Sequence, residues 1–305
     1  MTTLFDYMKE TTRLLRESKQ ELINPNDMIT HINRARRDIA MRSQCVRLLT
    51  PISGSVSTIS IVAYGSSYTG ATVAITAPDS PSGVAPFPTG NQATATITLS
   101  GTSISTVSVT NGGSGYFQPT ASIIGNGSGA SVTLTVANIN VLTTGQEVYP
   151  FSGIFLPTGY ASVYWVQNIA MIYANYRYAL PIYPFSMYQA YVRNYPFQYQ
   201  YVPTFASQYG QGTSGSFYVY PLPSQTYQYE LDCLCIPSDL ATNTDTEVLP
   251  LPWNEAVPYL ATCYGFMALQ NYNVANYYKQ WYDEFVQRYS NYARGTRMVN
   301  PYGRV

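Results

Sequence analysis

The residues whose types and spacing could support catalysis form only weak patterns in this sequence. Gly210-Gln211-Gly212-Thr213-Ser214-Gly215 matches the GxGxxG dinucleotide fingerprint literally. That fingerprint binds pyrophosphate only where a strand leads into a helix, and here the strand-like run Ser216 to Tyr220 follows. We therefore predict a hairpin loop at this position, and we interpret Gly125 to Gly129 in the same way.

Histidine and cysteine offer no recognisable nucleophile or metal centre. His31 is the only histidine and falls on a predicted helix beside Asn and Arg side chains. Cys233 and Cys235 stand two apart in a strand-like run, so both face the same side. Since no CxxC pair or histidine cluster accompanies them, we interpret them as packed thiols and predict no metal or cofactor.

Carboxylates are equally sparse where an acid/base pair would be needed. Glycoside cleavage requires two carboxyl groups roughly 5–10 Å apart. Glu230 and Asp232 share one face of a predicted strand, and Asp79 lies in a loop-like run. This pattern gives no acid/base pair, and we predict that the chain is not an enzyme.

Charge is concentrated at the two ends of the chain. Of 16 basic and 16 acidic side chains, only four lie between Pro51 and Tyr229, namely Asp79, Glu147, Arg177 and Arg193. Charged side chains normally make up about a quarter of a domain and keep its free surface unassociated. Such a neutral middle predicts a surface that is covered by other chains.

The totals exclude some classes of function. The formal net charge is zero, which gives no reason to expect tight nucleic-acid binding. Met1 to Asp6 does not look like a secretory leader, and the apolar stretch Val163 to Ala174 is too short to span a bilayer. We expect no membrane association and synthesis in a reducing cytoplasm.

Helical patterns occupy both ends. Thr3 is predicted to cap a helix with apolar positions at three- and four-residue steps, and Asn26 to cap a second one ending near Cys45. Arg34, Arg37 and Arg42 lie off the apolar stripe of that second helix and are predicted to be exposed.

The C-terminal end repeats this arrangement. A helix to about Gln270 and a turn precede a longer helix with apolar side chains on one face: Val274, Tyr277, Tyr278, Trp281, Phe285, Tyr289 and Tyr292. Two such hairpins would bury their faces economically in one bundle. We predict an α+β fold, in which residues 1–50 and 238–305 form a four-helix bundle around an inserted antiparallel β domain (141–237) and a further duplicated β module (51–140).

The inserted module contains an internal repeat. Ser57-Thr58-Ile59-Ser60-Ile61 recurs as Ser105-Thr106-Val107-Ser108-Val109, and at the same spacing Tyr68 recurs as Tyr116. Each copy alternates β-forming residues around Gly/Ser turns, which predicts short strands. We expect the two copies to pack on each other, with additional loop residues in the first copy.

Tyrosine dominates the region that follows. Residues 141–237 are predicted to be strand-like, and Tyr supplies contact area of the kind enriched in interface cores. Candidate subunit-interface residues are Tyr195, Tyr199, Tyr201, Tyr218 and Tyr220. The alternative is a sheet whose tyrosine ladders face water.

The chain resembles the head-to-tail adaptor proteins of short-tailed double-stranded DNA bacteriophages. Three stretches carry the resemblance: Leu4 to Arg42 with its Asn-Pro-Asn break and Arg-rich second helix, Leu180 to Tyr188, and Phe217 to Tyr259. The match is one of pattern and order and contains no catalytic motif. The duplicated module is not needed for it.

The resemblance implies a virion protein at the head–tail junction that is assembled in the cytoplasm of the bacterial host. It implies a ring of twelve copies that docks on the portal protein, meets tail nozzle or tail-fibre proteins, and continues the channel through which DNA passes without sequence-specific binding. Arg34, Arg37 and Arg42 are candidate channel residues. The chain end after the last helix would reach the portal through Arg294, Arg297, Met298, Pro301, Tyr302, Arg304 and Val305.

A binding module remains the alternative function. Aromatic faces suit sugar rings, so the β insertion could serve host recognition or tail-fibre attachment. Binding of glycans or cells by an isolated fragment 51–140 would favour this alternative.

Overall fold

The computed structural model describes residues 2–16, 23–79, 87, 89–173, 176–194 and 200–295, with side chains up to Ser290. These residues form five α-helices: α1 (Leu4–Leu15), α2 (Pro25–Ser43), α3 (Phe185–Asn194), α4 (Val257–Ala268) and α5 (Tyr272–Gly295). The strands are β1 (Arg47–Leu49), β2 (Ser55–Ser66), β3 (Ala71–Ile75), β4 (Thr94–Ser100), β5 (Ser103–Asn111), β6 (Ala121–Gly125), β7 (Ser128–Ala137), β8 (Val141–Leu142), β9 (Val148–Pro150), β10 (Tyr160–Tyr173), β11 (Tyr176–Leu180), β12 (Ile182–Tyr183), β13 (Gln200–Tyr201), β14 (Phe205–Tyr209), β15 (Ser216–Tyr220), β16 (Leu222–Pro223) and β17 (Tyr227–Pro237).

The predicted fold class was wrong. The fold is mixed α/β with about 40% strand in many sheets, and its helices are spread through the chain. α3 lies inside the region predicted to be strand-like, and α2 packs on β17 as well as on α4. One buried cluster runs from the helices into the sheets, so the helical faces are covered partly by strands and need no separate four-helix bundle.

The first two helices begin at side-chain caps. Thr3 and Asp6 form a reciprocal capping box at α1, as predicted for Thr3. The prediction for α2 was wrong, because the side chain of Asn24 accepts a hydrogen bond from the backbone N–H of Asn26 while Pro25 occupies the first helical position. Proline fits the first helical position because a backbone N–H there would have no partner within the helix, so its absence costs nothing.

The buried face of α5 differs from the predicted one. Tyr277 and Trp281 are exposed, whereas Ala275, Tyr282 and Val286 are buried. The buried set is spaced by seven and four residues, which keeps it on one side of the helix. Among the described residues, no helix is both long and apolar enough to cross a membrane.

The largest sheet joins the two ends of the chain. Its order is β1-β17-β10-β11, and β8 also pairs with β17. Cys233 and Cys235 lie on one face of β17 with their Sγ atoms 3.6 Å apart, and both are buried free thiols. The interpretation as packed thiols is therefore confirmed.

A second sheet has the order β12-β14-β15-β9, and α3 packs against β14. β14 and β15 pair as an antiparallel hairpin, and the short 3-10 helix Gly212–Ser214 lies in the loop between them. The GxGxxG match is thus a hairpin loop, as predicted.

Among the described residues of the duplicated module, each ladder joins one copy to the other. The first copy supplies β2, β3 and β4, and the second supplies β5, β6 and β7. β2 pairs with β7, β3 with β6, and β4 with β5. The two copies therefore form an exchanged pair related by a local twofold axis.

The register supports that axis in detail. The pair Ile59↔Leu134 is repeated as Val107↔Ile97, at the two sequence offsets of the repeat. Ala74↔Ser122 joins two equivalent positions, so the axis passes through this pair. Both bulges of the β2 ladder also recur at the equivalent places of the β5 ladder.

The module has its own small core, separate from the main one. Its two ends lie side by side, because Ser55 pairs with Ala137. A further contact to the main body is made by Phe87, which is buried with Ile52 and Ile172. The module is thus an insertion whose entry and exit strands are neighbours.

Candidate functional site

The two carboxylates of the neutral middle are used inside the chain. Asp79 accepts hydrogen bonds from the backbone N–H groups of Phe117 (2.8 Å) and Gln118 (2.6 Å). Glu147 accepts one from the Tyr188 hydroxyl. Burial, and then this carboxylate, raise the pKa of Tyr188 above its usual range. Both carboxylates therefore have hydrogen-bond donors within the chain.

The basic side chains of the middle are used in a similar way. Arg177 makes a bidentate ion pair with Glu230, at 3.0 and 3.2 Å, and its guanidinium lies 4.7 Å from the centre of the Phe87 ring. Arg193 is exposed at the end of α3. Three of the four charges of residues 51–229 are therefore satisfied internally, and the described surface of this region is almost uncharged.

The aromatic residues of this region form a cluster around α3. The Phe185 ring lies 4.7 Å from that of Tyr209 and 4.9 Å from that of Tyr218. The Tyr220 ring lies 5.5 Å from that of Phe205. Ring pairs at these separations contribute roughly 0.5–1.5 kcal/mol beyond the area they bury. The cluster fixes α3 on the second sheet.

The predicted interface tyrosines divide into three groups. Tyr195 and Tyr199 lie outside the described residues. Tyr218 and Tyr220 are half-buried in the cluster around α3, so their rings already have partners within the chain. Tyr201 is 55% exposed. Of the five, Tyr201 is the described residue with the most surface available to a neighbour.

Sequence reasoning missed a more exposed group of tyrosines, which we call the tyrosine hairpin. It consists of Tyr173, Tyr176 and Tyr178, at the end where the chain passes from β10 to β11, and Tyr176 is 68% exposed. β11 is also an edge strand of the largest sheet. An exposed, aromatic edge strand is a natural surface for pairing with another chain.

The three candidate channel arginines all have partners. Arg34 stacks over the ring of Tyr264 at 4.5 Å. Arg37 pairs with Asp239 at 2.9 Å.

The third, Arg42, pairs with Asp38 at 3.0 Å and with Asp283 at 2.9 Å. Carboxylates this close offset the positive charge, so Arg37 and Arg42 attract phosphate less strongly than unpaired arginines would.

The proposed portal-docking segment is largely beyond the described part of the chain. Arg294 lies in α5, and nothing is described of its side chain. Arg297, Met298, Pro301, Tyr302, Arg304 and Val305 lie outside the described residues.

A buried ionic network, also missed by sequence reasoning, ties the two ends of the chain together. Arg36 on α2 donates to both carboxylate oxygens of Glu247, at 2.6 and 2.8 Å. It also donates to Asn33 and to the backbone carbonyl of Ser238. Burial alone would raise the pKa of Glu247, but the hydrogen bond and charge of Arg36 lower it below its usual value. The network has a structural role, because both charged side chains are only 1% exposed.

The catalytic candidates remain isolated. Burial lowers the pKa of His31, which packs near Tyr264. The Glu230 and Asp232 carboxylates are paired with Arg177 and Arg47, respectively. Among the described residues, no group of three His, Cys, Asp or Glu side chains could hold a metal ion.

In comparisons with known proteins, neither a family model nor a curated sequence matches this chain. The phage resemblance, which depends on the pattern and order of three sequence stretches, therefore stays a prediction.

Proposed function

We propose that the chain is a structural subunit of a ring that joins the portal to the tail of a short-tailed phage. In this role it carries no catalysis and no cofactor. The ring, a dodecamer by resemblance, continues the DNA channel from the portal to the tail proteins. One observation carries the proposal. The described surface of residues 51–229 is nearly uncharged and bears exposed aromatic side chains.

Such a surface favours association over independent existence. A monomer normally keeps charge on its surface to remain soluble and separate. Here Asp79, Glu147 and Arg177 bond to groups of the same chain. The tyrosine hairpin exposes aromatic rings to solvent, where a monomer would normally carry charged side chains. A head-to-tail ring needs two different complementary faces on each subunit. We assign the tyrosine hairpin to one of them.

The electrostatics also suit a conduit. Tight neutralisation of DNA phosphates would oppose passage of the duplex. The net charge is zero, and Arg34, Arg37 and Arg42 are all engaged with neighbouring side chains. A channel lined by such residues would hold DNA weakly.

Purified portal rings provide the direct test. We expect the chain to co-sediment with portal rings and to appear as a ring in end-on views by negative-stain microscopy. Capsids that lack the portal should not bind the chain. A chain lacking residues 298–305 should lose portal docking. Undiminished docking by that chain would refute the assignment of the segment, and a stable monomer in the presence of portal would refute the adaptor role.

The alternative function, a binding module for host recognition or tail-fibre attachment, has less support than the adaptor role, because few aromatic rings of the β module are exposed. Tyr68 and Tyr116 are buried in the β module, while Tyr64 on β2 is 60% exposed. A single exposed ring is a small platform for a sugar. The alternative predicts saturable glycan or cell binding by the isolated module.

A further inference from the structure

A groove with acidic and aromatic walls lies between α1, α4 and α5. Its volume is about 570 Å³, which is within the usual range for binding pockets. Asp6 and Glu10 on α1 and Glu255 just before α4 supply three carboxylates to its lining, against one guanidinium from Arg288. Glu10 is also paired with Arg13 on the same helix, so the negative charge left for a ligand comes mainly from Asp6 and Glu255. This acidic groove therefore favours a cationic occupant.

Local contacts lower the pKa of two carboxylates of the acidic groove. Hydrogen bonds from Thr3 lower the pKa of Asp6, and Arg13 lowers that of Glu10. Glu255 is exposed and has no ion-pair partner among the described residues. The contacts of Asp6 and Glu10 thus favour the charged form of each.

A buried acceptor gives a second and independent indication of an occupant. Asn254 is 7% exposed and lines the acidic groove. Its amide nitrogen donates to the hydroxyl of Thr2, but its Oδ1 accepts no hydrogen bond from the described residues. Leaving such an acceptor unsatisfied costs about 1–3 kcal/mol. The Oδ1 atom has almost no exposed surface, so a ligand donor gains this hydrogen bond only when the side chains over it move aside.

The opposite wall is aromatic. Trp281 stacks on Tyr259 with ring centres 5.0 Å apart, and Trp281 remains 46% exposed. Phe285 and Tyr289 continue this wall along α5. Guanidinium groups and apolar side chains both bind well on such rings. The acidic groove therefore fits a short peptide that combines arginine with apolar residues.

Residues 296–305 have this composition. The segment reads Thr-Arg-Met-Val-Asn-Pro-Tyr-Gly-Arg-Val, with two arginines and no acidic residue. It follows α5, whose own residues line the acidic groove up to Tyr289. From Gly295 back to Trp281 is about 21 Å along the helix, and ten extended residues can span roughly 33 Å. The segment can therefore reach the whole groove from its own helix.

We propose that the acidic groove binds the chain's own segment 296–305, with Arg297 and Arg304 among its carboxylates and Met298, Pro301 and Tyr302 against its aromatic wall. Attachment in the same chain favours this occupant, because a short linker gives a millimolar effective concentration. The proposal rests on the groove and the segment alone. If the adaptor role also holds, groove and portal compete for the same residues.

A peptide-binding assay tests the proposal without any portal. A fluorescein-labelled peptide of residues 296–305 is titrated against the full chain and against a chain that ends at Gly295, with binding read by anisotropy. We expect the shortened chain to bind the peptide and the full chain to bind it at least tenfold more weakly. A peptide with Arg297→Gln and Arg304→Gln should lose at least fivefold in affinity, and this change cannot disturb folding.

Matched variants of the shortened chain locate the site. Glu255→Gln and Trp281→Ala should each weaken binding at least fivefold. The controls are Glu284→Gln and Tyr277→Ala, which change an exposed glutamate and an exposed aromatic residue of α5 outside the acidic groove. Both should leave binding unchanged.

Equal binding by the full and shortened chains, or no binding by the shortened chain, would overturn the proposal. So would equal losses in the groove and control variants. If the exclusion by the full chain disappeared on dilution, the segment would come from a second copy, and docking within one chain would be refuted.

Discussion

Nε of Arg36 lies 2.6 Å from Oε2 of Glu247, although 211 residues separate the two in sequence. Tyr7 on α1 donates a third hydrogen bond to the same carboxylate, at 2.8 Å. The backbone N–H groups of Val248 and Leu249 donate to its other oxygen. This one carboxylate therefore connects α1 and α2 to the segment that leads into α4.

We expect Arg36→Met to destabilise the protein by about 3–5 kcal/mol, because it leaves a buried carboxylate without its counter-charge. The measurement is the free energy of unfolding in denaturant. Arg37→Met removes an exposed pair with Asp239 and should cost less than about 1 kcal/mol. Similar losses for the two variants would contradict the structural role of the buried pair.

The same carboxylate predicts a pH dependence. The pKa of Glu247 is below its usual 4.5 in the folded state. Its contribution to stability is therefore fully present above about pH 4.5 and is lost as the pH falls through the lowered folded value. We expect the stability difference between the native chain and Glu247→Gln to stay constant above about pH 4.5 and to shrink as the pH falls below that value.

Asp245 also loses stabilising contacts in acid, but it does so in both proteins. Hydrogen bonds from Thr242 lower its pKa to about 2. Comparing the two proteins at each pH therefore isolates the contribution of Glu247. A difference that stayed constant below about pH 4.5 would show that folding does not lower the pKa of Glu247.

How far the sequence predicts this fold depends on the range of each interaction. Thr3 was recognised as a cap because its partner, Asp6, is three residues away. The repeat predicted the mutual packing of the β copies, because equivalent sequences adopt equivalent strands. The pairing of Arg36 with Glu247 leaves no local pattern, because the sequence around one residue carries no information about the position of the other. The predicted bundle failed for the same reason, because β17 covers part of α2.

Helix α3 and the acidic groove illustrate the second limit. Phe185 to Asn194 is rich in aromatic residues that favour strands, yet packing of Phe185 and Tyr188 against the second sheet supports a helix. The acidic groove combines side chains from three helices, so no single stretch of sequence reveals it. Composition did predict a neutral middle, but contacts decide which of its tyrosines are exposed.

We expect a fragment of residues 54–137 to fold by itself, since the module has its own core and adjacent ends. A fragment with the first copy alone, residues 54–101, should stay unfolded, because each of its strands pairs only with the second copy. Circular dichroism and proton NMR of both fragments measure this. A folded, monomeric single copy would contradict the exchanged pairing.

Tyr116→Phe should destabilise the module more than Tyr68→Phe does, although the two residues are equivalent in the repeat. The Tyr116 hydroxyl accepts from the backbone of Ala93 (2.8 Å) and donates to that of Thr76 (3.1 Å). Removing this hydroxyl leaves the backbone groups of Ala93 and Thr76 without their hydrogen-bond partner, at a cost of about 1–3 kcal/mol. The Tyr68 hydroxyl has no such bond among the described residues, so its loss should be nearly neutral. Thermal unfolding of fragment 54–137 gives both values, and equal losses would contradict this assignment.

A lysine in the tyrosine hairpin should weaken ring assembly. Tyr176→Lys places an ammonium group on an aromatic edge strand, where a neighbouring subunit would have to desolvate it without a partner. We expect self-association to weaken at least tenfold, about 1.4 kcal/mol per interface, as measured by sedimentation velocity. Val62→Lys is the control, because Val62 is similarly exposed (65%) but lies on the β module, away from the proposed interface. If Tyr176→Lys assembled normally, or if both variants were equally impaired, the hairpin would not be a ring contact.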